Sequence, residues 1–183
     1  GVIPASLGAD ALGGAINIVT NRQKKNFLDF SYGYGSFNTH KGELFAQVVT
    51  PKTGIMIKPV VSANYSANNY VMKGVEVPNE DNTRFVTGDF ERFHDDYFSL
   101  YGELEVGVAN RKWADAFFVG GSFSKMDKEL QTGSVQTKVY GMAERHTLTK
   151  GVSVVYNKKS IIAEDLAFSA SASYSWDHSR TID

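Results

Sequence analysis

Reactive chemistry in this chain would have to come from its histidines, hydroxyls and carboxylates. Cysteine is absent, and with it disulfides and thiolate metal centres. The four histidines, His40, His94, His146 and His178, stand at no metal-ligand spacing from one another, and each falls in a loop or at a strand end. The densest set is Arg92-Phe93-His94-Asp95-Asp96, inside the longest polar connection. It could contact a ligand or bind a cation, and with Tyr70 and Arg84 it supplies the candidate ligand contacts: Tyr70, Arg84, Arg92, His94, Asp95 and Asp96. The same composition describes a solvated loop, which is the expectation for the segment. Asn79-Glu80-Asp81-Asn82 offers oxygens suited to calcium but lacks the full ligand spacing of a calcium loop, so it reads as an exposed turn. Glu103 and Glu105 share one strand face, whereas glycoside cleavage needs two carboxyls across a sugar-sized gap. No serine sits in a nucleophile elbow with a matching histidine and acid. The glycines of Gly8 to Thr20 are not followed by the Gly-Lys-Ser/Thr that a phosphate-cradling loop requires. These residues predict no enzyme, no metal and no cofactor.

What positions them is a series of alternating runs. Leu28, Phe30, Tyr32 and Tyr34 lie opposite Asp29, Ser31, Gly33 and Gly35. Leu44, Ala46 and Val48 follow against Glu43 and Gln47. A third run sets Ile55, Ile57, Val61, Ala63 and Tyr65 against Lys58, Ser62, Asn64 and Ser66, with Pro59 predicting a bulge or local break. The fourth sets Phe98, Leu100, Leu104, Val106 and Val108 against Ser99, Glu103 and Glu105. The fifth carries Phe117, Val119 and Phe123 opposite Ser122 and Ser124, and a weaker sixth carries Val152, Val154 and Tyr156. In the seventh, Leu166, Phe168, Ala170, Ala172, Tyr174 and Trp176 alternate with Ala167, Ser169, Ser171, Ser173, Ser175 and Asp177. The strong runs span about 9–11 residues, the length a tilted strand needs to cross a bilayer. The fold class is all-β and antiparallel, consistent with 13% aromatic residues and 17 glycines.

Alternation has two meanings. In a soluble sandwich or lectin-like module the apolar face looks inward; in an outer-membrane barrel it meets lipid and the polar face lines the lumen. Connection lengths favour the second. Thr50 to Gly54 and Asn110 to Ala114 are tight, whereas Asn69 to Tyr97 and Lys128 to Lys150 are long, as periplasmic turns and extracellular loops are. Aromatics gather at strand ends, the arrangement of two interfacial girdles: Tyr34, Phe37, Tyr65, Tyr70, Tyr97, Phe98, Phe123, Tyr174 and Trp176 on the long-loop side, and Phe27, Trp113 and Tyr156 on the other. A net charge of −1 offers no basic field for nucleic acid. No apolar run approaches the length of a membrane-spanning helix.

The opening stretch adds specificity. Gly8-Ala-Asp-Ala-Leu-Gly-Gly-Ala-Ile-Asn-Ile-Val-Thr20 is a small-residue turn entering a short strand. Through Gly8, Ala11, Gly13, Gly14, Ile16, Asn17, Ile18 and Thr20 it closely resembles the end of the plug domain of TonB-dependent outer-membrane receptors, where this segment is the last plug strand. The chain from Phe27 is similar to the first barrel strands of such receptors from the Bacteroidetes group. The resemblance implies residues 1–22 as the end of a plug and 23–183 as about seven strands of a transmembrane barrel, joined by the polar connector Asn21 to Asn26. It implies that the chain is a piece of a longer protein, without its signal peptide, TonB-contacting box or most of its plug. It further implies residence in the outer membrane of a Gram-negative bacterium. The implied activity is energy-coupled uptake of a scarce nutrient such as an iron chelate, a corrinoid or a glycan. The partners implied are lipid, the TonB system and a surface lipoprotein. A passive porin-like barrel is the remaining membrane alternative, and it would lack the plug motif.

Overall fold

Residues 25–132, 139–160 and 166–182 are described by the computed structural model. The plug-like residues Gly8, Ala11, Gly13, Gly14, Ile16 and Asn17 lie outside them. Each alternating run becomes a strand, and the turns between strands follow local chemistry. Among the described residues nine strands result: β1 (Phe27–Gly35), β2 (Thr39–Val49), β3 (Ile55–Ser66), β4 (Val71–Pro78), β5 (Phe85–Glu91), β6 (Tyr97–Ala109), β7 (Ala116–Thr132), β8 (Val139–Lys158) and β9 (Phe168–Ile182). Among the described residues there is no helix, so none is long and apolar enough to cross a membrane, which says nothing about crossing by strands. Tight turns form where the sequence supplies left-handed residues. Gly54 (φ 63°) closes the β2–β3 hairpin by donating to the Thr50 carbonyl at 2.7 Å, and Asn110 (φ 54°) opens the β6–β7 turn.

Seven strands form one antiparallel sheet in the order β1-β2-β3-β6-β7-β8-β9, and β4 pairs only with β5. Among the described residues the sheet is open, with β1 and β9 as its edges. Its register carries each face across the whole width. Val48, Ile57, Val106, Val119, Val154 and Ala172 form one cross-strand row. On the opposite face Ser31, Glu43, Ser62, Tyr101, Ser124, Thr149 and Asp177 form another. Directly opposed residues share a face, so the alternation inferred along each strand holds across strands as well. Pro59 breaks the β2–β3 ladder locally without a bulge. Pairing lapses opposite Lys58 and Pro59 and resumes in the same register, while β3 still pairs continuously with β6.

Three expectations are corrected. Lys128 to Lys150 is not a long loop: β7 runs on to Thr132 and β8 starts at Val139, so most of it is strand. Beyond the apolar band both faces of these strands carry polar and charged residues, and alternation disappears from the sequence. The connection Asn69 to Tyr97 contains the β4–β5 hairpin, hidden because Gly74 (φ 61°) bulges β4 and shifts its phase between Met72 and Val75. Phe27 and Tyr97 stand opposite Gln47 and Ser66, which puts them on the polar face rather than in an apolar-side girdle.

Few side chains are buried. Met56, Ala109, Ala116 and Phe118 form a small cluster on the polar face near the tight turns, with Lys58 Nζ 4.2 Å from the centre of the Phe118 ring. The polar connector is anchored where it meets the sheet: Gln47 donates to the Lys25 carbonyl at 2.7 Å and the Val49 amide donates to Asn26 Oδ1 at 2.7 Å. Two glycines accept the ring of their cross-strand partner, Gly102 under Phe123 and Gly107 under Phe118. A Cβ at Gly107 would strike the Phe117 carbonyl oxygen as well as that ring, whereas one at Gly121 would meet nothing within 4 Å. Gly107→Ala should therefore cost about 1–3 kcal/mol, and Gly121→Ala should stay within about 0.5 kcal/mol of zero. Denaturant midpoints of the two variants in detergent, set against the parent chain, check this pair.

Candidate functional site

The long strands β7 and β8 carry charge beyond the apolar band, and the segment entering β6 packs against them. The Asp96 amide donates to Glu129 Oε2 at 2.9 Å and the Glu129 amide donates to the Asp96 carbonyl at 2.9 Å, which continues the β6–β7 ladder past Tyr97. The Phe93 amide donates to Gln131 at 2.9 Å. Tyr65, at the end of β3, donates its hydroxyl to Asp96 Oδ2 at 2.7 Å. A cleft of about 270 Å³ opens between these elements, lined by Tyr65, Asp96, Phe98, Asp127, Glu129 and His146 among others.

The expectation of a solvated loop fails here. His94 is 6% exposed and Asp95 8%. Asp95 receives two cations: Arg92 Nε lies 2.8 Å from Oδ2, and Lys128 Nζ reaches both Oδ1 and the Asp95 carbonyl. Burial of a carboxylate is tolerated only with such compensation. Asn68 also donates to the Asp95 carbonyl at 3.1 Å, tying the two ends of the β4–β5 excursion together. His94 sits between Glu129, with Nδ1 3.4 Å from Oε2, and the Ala143 carbonyl, with Nε2 at 3.1 Å. Glu144 lies directly opposite Glu129 on β8. His146 bridges Asp127 (2.7 Å) and Glu144 (3.1 Å). Burial alone would raise the Asp127 carboxyl, but hydrogen bonds from Lys125 and His146 outweigh it and hold the group below the usual carboxylate value.

Of the residues singled out from sequence, Arg92, His94, Asp95 and Asp96 come together. Tyr70 joins them at the edge: its carbonyl accepts from the Arg92 amide at 3.1 Å, and the Arg92 guanidinium lies 5.6 Å from its ring centre. Arg84 does not join them. It ends the hairpin turn in which Asn79 Oδ1 accepts the Thr83 and Arg84 amides, so Asn79 to Asn82 is the exposed turn expected. Glu103 accepts from Tyr101 at 2.6 Å and Glu105 pairs with Lys58 at 3.6 Å, both on the polar face. Sequence reasoning did not find Lys128, Glu129, Gln131 and Glu144. Their partners lie more than thirty positions away along the chain for the segment 92–96, and only strand register brings them near.

Asp95→Ala would strip the counter-charge from Arg92 and Lys128 in a largely dry setting, at an expected cost of about 3 kcal/mol. Asp81→Ala, at the exposed turn, should cost within about 0.5 kcal/mol of nothing. Amide exchange across residues 92–96 and 128–131 should accelerate in the first variant alone.

Comparison with models of known families, with characterised proteins and with solved structures finds no match to this chain.

Proposed function

We propose that this chain forms part of the wall of an outer-membrane β-barrel of the TonB-dependent receptor type, serving energy-coupled uptake of a scarce nutrient. The observation that carries the reading is the uncovered apolar face. Leu28 is 71% exposed, Phe30 66%, Tyr34 68% and Tyr174 60%, on a single-layer sheet whose other face is rich in serine, threonine and charge. An apolar surface of this extent needs a non-aqueous neighbour. Lipid fits it, because strands cross a bilayer with the apolar side outward and the polar side toward the lumen. A soluble sandwich would need a second layer over that face, and the described residues supply none.

The borders of the face support the same reading. At the tight-turn end Trp113 and Phe117 pack at 5.5 Å, as do Tyr156 and Phe168 at 6.0 Å. At the opposite end Tyr174 and Trp176 meet at 4.6 Å. The upper aromatic border runs obliquely to the hydrogen-bonded rows. Tyr34, Tyr65 and Phe98 share one row with Asp127, His146 and Arg180. On β7 and β9 the border falls two rows lower, at Phe123 and Trp176. A band oblique to the rows is what tilted, staggered strands of a barrel require. In such a barrel the tight turns face the periplasm, and the β4–β5 hairpin and the β7–β8 extension stand outside the cell. The plug-like wording of Gly8 to Thr20 separates the receptor reading from a passive pore. Iron chelates, corrinoids and glycans remain the candidate cargo classes, with the TonB system and a surface lipoprotein as the implied partners.

Ala172 stands in the middle of the apolar band, level with Val154, and Ser173 faces the other way, level with Ser153. Ala172→Arg should cost about 2–4 kcal/mol of barrel stability, as an arginine at the bilayer midplane does, and Ser173→Arg far less. Heat-modifiable mobility of the membrane-extracted protein reports the folded fraction, and equal losses for the two variants would refute the facing. Independently, a cysteine at Asn82 should react with an impermeant maleimide on intact cells, while one at Thr53 should react only after the outer membrane is opened. The reverse pattern would invert the topology.

A further inference from the structure

His94 meets an oxygen at each of its ring nitrogens. His94 Nε2 is 3.1 Å from the Ala143 carbonyl, which can only accept, so the ring proton belongs on Nε2. In the neutral ring that leaves Nδ1 with a lone pair, 3.4 Å from Glu129 Oε2. A lone pair facing a carboxylate is repulsive unless something positive lies between them. The strand register adds a second conflict. Glu129 and Glu144 stand directly opposite each other on β7 and β8, an arrangement that destabilises a sheet when both are charged. Ligand atoms of His94, Glu129 and Glu144 all lie within 4.8 Å of one another.

We propose that His94, Glu129 and Glu144 form a binding site for a divalent first-row transition cation of the zinc class. One imidazole nitrogen and two carboxylates is a ligand set of that class, with an open fourth position for water; calcium would ask for more oxygens and no imidazole. Ligand atoms about 2.0–2.2 Å from zinc sit roughly 3.3–3.6 Å apart in a tetrahedron. The His94–Glu129 pair already has that separation, and Glu144, with its side chain 41% exposed, has room to close the remaining gap. The surroundings are arranged as outer partners of a metal usually are. The Ala143 carbonyl fixes the His94 tautomer and ring orientation, the Asp96 amide holds Glu129, and His146 holds Glu144 while bonding Asp127 on its other side. A bound cation would neutralise both conflicts and clasp the segment 92–96 to the β7–β8 extension beside the cleft. The site depends only on the packing of these elements, so it stands apart from the transport reading, and its test requires neither a membrane nor cargo.

The full chain, purified in detergent and stripped with a chelator, is titrated with Zn²⁺ against a chromophoric competitor. Co²⁺ then probes geometry through its visible d–d absorption. One Zn²⁺ per chain with micromolar or tighter Kd is expected, together with a tetrahedral Co²⁺ spectrum. Glu144→Gln and His94→Gln should each weaken binding by about tenfold or more, and His178→Gln should leave it unchanged. Glu144 is exposed enough for its glutamine variant to fold normally, so that variant decides the matter even if His94→Gln does not fold. No zinc taken up by the parent chain, or unaltered binding by Glu144→Gln, would overturn the proposal and leave an imidazolium ion pair between His94 and Glu129.

Discussion

An antiparallel ladder allows two faces and no third, and a slip of one residue in any pairing would exchange them for every strand beyond it. The rest of this molecule depends on that register being held from β1 to β9. Within the apolar band the seven strands keep most of their valines, leucines and rings on one side and most of their serines and acids on the other. The devices that hold it are modest. Gly54 and Asn110 set hairpin turns, Phe118 and Phe123 lie across cross-strand glycines, and Pro59 interrupts one ladder without shifting it. Together they produce a surface that water alone does not suit, and the proposed membrane setting follows from that surface rather than from any catalytic feature.

Above the apolar band the organising force changes. β7 and β8 continue with charged residues on both sides, and neither face drives burial. What orders this region is pairing of unlike charge, side-chain hydrogen bonding and backbone satisfaction: Asp95 with Lys128 and Arg92, Asp96 with the Tyr65 hydroxyl, and the Phe93 amide with Gln131. The density of partners around Asp95 explains how a segment so polar is also so buried. It makes the segment 92–96 a strap across the sheet end rather than a mobile loop.

Legibility follows the same division. Where one face was apolar and the other polar, strand positions could be read residue by residue, as in Leu28 to Tyr34 or Phe168 to Trp176. Where both faces carried polar residues the strand was invisible, as in Lys128 to Thr132 and Glu144 to Lys150. A single left-handed glycine hid β4, because a bulge breaks the period on which the reading depends. The candidate residues of the segment 92–96 were visible as a cluster of chemistry-bearing types. Their burial was not, since it arises from Lys128, Glu129, Gln131 and Ala143, whose proximity is a property of register.

The β4–β5 hairpin also bears on how the chain assembles. Every other neighbouring pair in the main sheet is consecutive in sequence, so each closes over a short stretch of chain. The β3–β6 pair alone must close over about thirty residues, from Ser66 to Tyr97. As a flexible loop that closure would cost about 1.5 kcal/mol more entropy than a five-residue turn. The excursion is not flexible, however. It is a self-paired hairpin whose base is already drawn together by the Arg92 amide on the Tyr70 carbonyl and by Asn68 on the Asp95 carbonyl. Once those contacts form, β3 and β6 meet as if joined by a short turn. The late, non-local step of sheet formation becomes a local one, which shortens the time that an unpaired edge of β3 is open to other chains.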